Sequence, residues 1–163
     1  MKQDEQHNED NFDPYIVNDD FPSEDEFECW DGTKRNFIIS CLQFPGAGFQ
    51  VQTVEKGKNR MGYEFAAHHP TSPYMALGDL RKRIKWEFSK RYISNKVFKN
   101  NEKYFPLHDT LEGRITVDEN GLLTFVIDGI PISYDKFLGM FETHEGWKFK
   151  VSFAELSDEF SNH

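Results

Sequence analysis

The chain has 163 residues, with 28 Asp and Glu against 19 Lys and Arg, a formal net charge of -9, 25 aromatic residues and two Cys. No apolar run approaches the ~20 residues of a membrane-spanning helix, and two thiols cannot build a disulfide framework or a four-thiolate zinc site. Seven Pro and 11 Gly exclude collagen-like and low-complexity chains, which leaves an ordinary soluble protein whose composition does not state a function.

The charge is unevenly spread. Residues 1–28 hold eleven acids and one base, Lys2, whereas residues 29–163 hold 17 acids and 18 bases. The expectation is an acidic, flexible N-terminal arm over 1–25, a single α+β domain over 26–157 and a C-terminal tail over 158–163. The arm lacks a periodic apolar pattern that could offset an ordering entropy of roughly 1–2 kcal/mol per residue. Phe12, Tyr15, Ile16, Val17 and Phe21 nonetheless interrupt its acids, so part of it could lie against the body. The start is neither basic nor followed by an apolar core, unlike a signal peptide. With thiols that look unpaired, the expected location is the cytoplasm.

Glu26–Trp30 and Lys34–Phe44 read as a hairpin across Asp31-Gly32, a pair suited to the positive φ angles of a two-residue turn. Both faces of the second strand are apolar (Phe37, Ile39, Cys41 against Ile38, Leu42, Phe44), which predicts a central strand covered on both sides. Pro45–Gly48 turns the chain. Phe49–Glu55 has one wet face, with Gln50 and Gln52 opposite Phe49, Val51 and Thr53. Met61–Ala67 aligns Met61, Tyr63, Phe65 and Ala67. Ser72-Pro73 then starts a helix expected to reach Ile93, with Leu77, Leu80, Ile84 and Phe88 as its apolar stripe.

A loop is expected over 94–106, followed by a hairpin of Gly113–Asp118 and Leu122–Asp128. Asp128-Gly129 turns the chain, and Ser133 precedes a short helix ending at Gly146. Trp147, Phe149, Val151 and Phe153 alternate with Lys148, Lys150 and Ser152, the cleanest strand pattern in the chain. The order ββββ-α-ββ-α-β predicts an α+β fold: a mostly antiparallel sheet of about 6–7 strands with one long helix packed on it.

The stretches RMGYEFAAHHPTSPYMALGDLRKRI (60–84) and LLTFVIDGIPISYDKFLGMFETHEGWKFKVSF (122–153) resemble an uncharacterised prokaryotic domain family of unknown function. The similarity rests on G-Y-x-F before the helix, I-D-G before the short helix and E-G-W-x-F at the last strand, over about residues 30–155. These motifs are structural, and the resemblance implies no activity.

Each candidate site in the chain also has a plain structural role open to it. Arg81, Lys82 and Lys85, with Arg83, Lys90 and Arg91, form a cationic helix face that could meet phosphates or a partner. It could also be a solvated face or a mate for the acidic arm. Gly62, Tyr63 and Phe65 partly match an RNA-reading strand motif, but their shared face reads as core. His68 and His69 point to opposite faces of a strand and cannot serve one metal without a bend. Glu142 and His144 could form an acid–base pair, yet their place near a helix end suits capping and surface charge. Cys29 and Cys41 read as structural.

The sequence contains no G-x-S-x-G, H-E-x-x-H or C-x-x-C. No catalytic, cofactor or metal residue is assigned. The reading is a non-catalytic protein-binding or regulatory module whose partner is another protein, with a homodimer through an edge strand, Phe49–Glu55 or Trp147–Phe153, also considered. One alternative is a nucleic-acid-binding domain using the basic helix over 81–91, which the net charge argues against without removing. The other is a hydrolase with dispersed acid/base residues such as Glu64, Asp128 and His144. A membrane partner is not expected.

Overall fold

A computed structural model describes residues 20–158. Most of the expected acidic arm, including Phe12, Tyr15, Ile16 and Val17, and the tail beyond Asp158 lie outside the described residues. The chain runs through strands β1 (Glu24–Glu28), β2 (Lys34–Phe44), β3 (Gly48–Glu55) and β4 (Glu64–His69), then helix α1 (Pro73–Phe88). Strands β5 (Ile93–Phe98), β6 (Asn101–Pro106), β7 (Arg114–Val117), β8 (Leu123–Ile127) and β9 (Ile130–Ser133) follow, then helix α2 (Tyr134–Gly139) and a 3-10 turn over Glu142–His144. The α+β class holds, and every strand pairing is antiparallel. Among the described residues there are, instead of one sheet of 6–7 strands, three sheets: β1-β2-β3-β4, β5-β6 and β7-β8-β9.

The first sheet is a meander. Its first turn is a three-residue loop rather than the expected two-residue one: Cys29 N–H donates to the Thr33 carbonyl at 2.8 Å and Gly32 N–H to the Cys29 carbonyl at 2.9 Å. The Asp31 carboxylate accepts from the Thr33 N–H at 3.0 Å and hydroxyl at 2.6 Å. Only Gly32 then needs a positive φ, +78°. Gly48 has a second reason to be glycine. A Cβ there would stand 2.5 Å from the His69 carbonyl oxygen and from Pro70 Cα.

Helix α1 starts as its sequence predicts. The Ser72 hydroxyl accepts the Met75 N–H at 3.3 Å, and Pro73 takes the first position, where its missing donor costs nothing. Ala76, Leu77, Leu80, Ile84 and Phe88 are buried against the sheet. The aromatic rings of Phe27, Phe37, Tyr63, Phe65 and Phe88 form the centre of this core, with centroids 4.7–6.4 Å apart. Strand β2 is central but covered on one face alone: Phe37, Ile39 and Cys41 are buried, whereas Ile38 and Phe44 are exposed.

The helix stops at Phe88, five residues before the expected end. Ser89 Oγ donates back to the Trp86 carbonyl at 2.6 Å. Beyond it, the Asp128 carboxylate takes the backbone N–H groups of Tyr92 and Ile93, both at 2.9 Å, and so pulls the chain into β5. The expected loop over 94–106 is a hairpin whose turn, Lys99-Asn100, has φ values of +45° and +66°. A second core gathers Tyr92, Ile93, Tyr104, Ile127, Ile132 and Met140. Helix α2 ends at Gly139, earlier than the expected Gly146.

The largest departure is at the end. Residues 147–153, the clearest predicted strand, are paired with no strand. Trp147, Phe149, Val151 and Phe153 are 65%, 91%, 60% and 80% exposed, respectively. The aromatic rings of the first core are buried, whereas those of this segment are not. This segment is termed the strap below.

Candidate functional site

The two cores meet at a polar junction. Arg114, on β7, reaches from the second half into the first: Nη1 pairs with Glu64 at 3.2 Å, and Nη2 donates to the Gly62 carbonyl at 3.1 Å and to that of Arg60. Arg60 holds the other oxygen of the same carboxylate at 2.9 Å. A buried carboxylate without a cation is costly, and the two guanidinium groups supply the pairing that Glu64 needs. Burial also lowers the pKa of Arg114, partly offset by Glu64. Gly129, at φ +70°, lets the β8–β9 turn touch Tyr63; a Cβ would stand 2.5 Å from the ring.

A small cleft of about 100 Å³ is lined by residues of both halves, Trp30, Asp31, Arg35, Arg91, Tyr104 and Asp128 among others. Its cations are already engaged. Arg35 donates from Nε to the Cys29 sulfur at 3.1 Å and from Nη1 to Glu55 at 2.7 Å. Arg91 lies 4.6 Å over the Trp30 ring and donates to the Ile93 carbonyl at 2.9 Å. Burial pushes the Cys29 thiol and the Asp128 carboxyl above their ordinary values, in both cases against hydrogen bonds that lower them. Burial likewise raises Glu87, which accepts from the Tyr92 hydroxyl, to about 6, with Glu112 adding to the effect. These groups hold one another and the backbone, and the cleft is a seam between the halves.

The residues singled out in the sequence are dispersed. Arg81 pairs with Asp25 of β1 at 2.7 Å, so the last acids of the predicted arm belong to the sheet and one of them sits on the basic helix. Lys82 pairs with Asp79 at 3.3 Å, and Lys85 is exposed. Arg83 donates to the Ala66, Leu156 and Ser157 carbonyls. Tyr63 and Phe65 are core, as their spacing predicts. The ring of His68 bonds the Ala47 carbonyl at 2.6 Å, while that of His69 accepts the Ser72 N–H at 3.1 Å.

Glu142 reaches Lys103 at 3.7 Å and His144 stacks edge-on to Trp147. Glu64, Asp128 and His144 therefore have separate partners: the Arg60–Arg114 pair, the Tyr92–Ile93 backbone, and Trp147. Among the described residues no group of three His, Cys, Asp or Glu is placed to hold a metal ion. Both cysteines are buried and free. Strand β3, one of the two edge strands considered, is paired on both sides.

What the sequence reading missed is a surface. The sheet β7-β8-β9 shows Ile115, Val117 and Leu123 to solvent, with Leu122 beside them, and α2 adds Leu138. Phe141, just past α2, continues the patch. The helix is anchored by Phe137, whose ring stacks on Phe125 at 3.8 Å and meets Phe141 at 5.1 Å. Contiguous apolar surface of this kind marks interaction sites on soluble proteins.

Two family models match the chain: a domain of unknown function (DUF7686) over residues 19–89 and a domain of unknown function (DUF7713) over residues 92–158. The division falls between the first core, which ends at Phe88, and the second, which begins at Tyr92. No curated protein and no solved structure matches. Both matches are to families of unknown function, as the earlier resemblance implied, and neither brings an activity. No helix of the described residues is long and apolar enough to cross a membrane.

Proposed function

We propose that the protein is a non-catalytic binding module that meets another protein through the apolar face of its second half. The observation that carries this reading is the exposed group Ile115, Val117, Leu123 and Leu138 on a sheet and helix, with Phe141 on the turn that follows the helix. A rigid display of this kind loses little entropy on docking. The partner that fits it is an apolar segment of another protein. The nucleic-acid alternative has less support, because Arg81 is paired with Asp25 and Lys82 with Asp79, which leaves the exposed Lys85 of the three. The two halves act as one body in this reading, through the Arg114–Glu64 pair and the Asp128 clamp.

Site-specific photocrosslinking tests it in the native cell. A crosslinker at Leu138 is expected to give one discrete protein adduct, and Leu123→Asp is expected to abolish that adduct without changing the unfolding transition. Adducts from a crosslinker at Lys85 and none at Leu138 would overturn the proposal in favour of the basic helix.

A further inference from the structure

The strap is the most conspicuous unexplained feature. Its side chains alternate apolar and polar over seven residues, the signature of a half-buried strand. Among the described residues none accepts from the backbone N–H groups of Lys148–Phe153. Both ends are tied. Trp147 N–H donates to the His144 carbonyl at 3.0 Å, and the Leu156 and Ser157 carbonyls accept from Arg83, which also holds Ala66 of β4.

At the opposite edge of the first sheet lies β1, paired with β2 alone. The parity of its hydrogen bonds is fixed by two of them. Ile39 N–H donates to the Ser23 carbonyl and Cys29 N–H to that of Thr33. Odd-numbered residues of β1 therefore bond to β2, and Glu24, Glu26 and Glu28 turn their backbone N–H and C=O outward. Their side chains are exposed on the face away from α1. Lys56 and Lys34 approach Glu24 and Glu26 at 2.8 and 2.9 Å from the inner side. Such an acidic row repels a second β1, which guards the edge against pairing with itself. A strand with lysines at the same two-residue spacing meets no such barrier.

The strap is such a strand. We infer that the strap of one copy adds antiparallel to the free edge of β1 of a second copy, and that two copies exchange straps reciprocally. The register follows from the two patterns. Lys150 stands opposite Glu26, Lys148 opposite Glu28 and Ser152 opposite Glu24. Phe149 then lies beside buried Phe27, and Trp147 beside Cys29, on the face that carries α1. A strap cannot serve its own β1, because Arg83 holds it to the β4 side, three strand spacings or about 14 Å away. Three aromatic side chains at roughly 150–250 Å² each, exchanged twice, bring the buried area to about 1,000 Å², the lower bound of a specific interface. The inference goes beyond the proposed docking face, which uses different residues.

Charge reversal of the full-length chain tests it by analytical ultracentrifugation. The unaltered protein is expected to dimerise. Lys148→Glu with Lys150→Glu is expected to weaken the dimer at least tenfold, and so is Glu26→Lys with Glu28→Lys. Mixing the two altered chains restores complementarity at both exchanged strands, so a 1:1 heterodimer is expected at concentrations where each alone is monomeric. Phe149→Asp, at an exposed site that folding does not need, is expected to give a folded monomer. An unaltered protein that stays monomeric at every concentration overturns the inference. So does a dimer indifferent to both reversals, or a mixture that fails to pair.

Discussion

The first half of the protein builds its core around aromatic rings, although Trp30, Phe44, Tyr74 and Trp86 stay at its surface, whereas the second half builds a smaller core and leaves most of its aromatic residues exposed. In the β1–β4 sheet with α1, five aromatic rings from β1, β2, β4, α1 and the approach to β4 converge on one core. In the second half, the buried cluster is built of two tyrosines with aliphatic residues and Met140, while Phe141, Trp147, Phe149 and Phe153 face solvent. The difference teaches where to look for function. Aromatic residues left wet on ordered backbone cost solvation in the free chain, and a partner that covers them recovers it.

The comparison can be broken first at its strongest point. Phe37→Ala or Phe88→Ala opens a cavity in the first core and is expected to cost about 3–5 kcal/mol of unfolding free energy in a denaturant titration. The junction comes next. Arg114→Met leaves buried Glu64 with exposed Arg60 alone and is expected to cost about 2–3 kcal/mol. A cost below about 0.5 kcal/mol would mean that the halves do not depend on this pair.

Glu87 sharpens the picture through pH. The folded chain holds its proton up to about pH 6, above the ordinary value of 4.5 that applies once it unfolds. Its contribution is therefore full below about pH 4.5 and is lost as pH rises through about 6. With partial exposure discounting a value of about 1.4 kcal/mol per unit, the loss is about 1–2 kcal/mol. Glu87→Gln is expected to flatten stability between pH 4.5 and 7; an unchanged slope would assign it to other groups. The smallest effect belongs to the strap. In dilute solution Phe149→Ala is expected to shift unfolding by less than about 0.5 kcal/mol.

The first half was largely legible in the sequence because its signals are local. Ser72-Pro73, the stripe Leu77–Leu80–Ile84–Phe88 and the alternation in β3 each follow from one short window. The end of α1 is not legible in its own window, because the chain is drawn away from it by the Asp128 carboxylate, 36 residues beyond Tyr92, whose backbone N–H it holds. The β5–β6 hairpin was read as a loop because Lys96, Lys99, Asn100 and Lys103 obscure its alternation, and its Lys99-Asn100 turn carries no glycine. The strap reverses the usual case. Its pattern is that of a strand, but the pattern states only that one face wants burial and says nothing about which chain provides it. Charge density alone does not show which acid of the N-terminal run has a cation waiting on α1, and the structure places Asp25 on Arg81.

Amide hydrogen exchange on the dilute monomer tests this division most directly. The account predicts slow exchange across residues 37–41 and 80–88 and fast, unprotected exchange across 148–153. Strong protection of 148–153 in the monomer would contradict it, because the wet aromatic residues would then already be covered by their own chain.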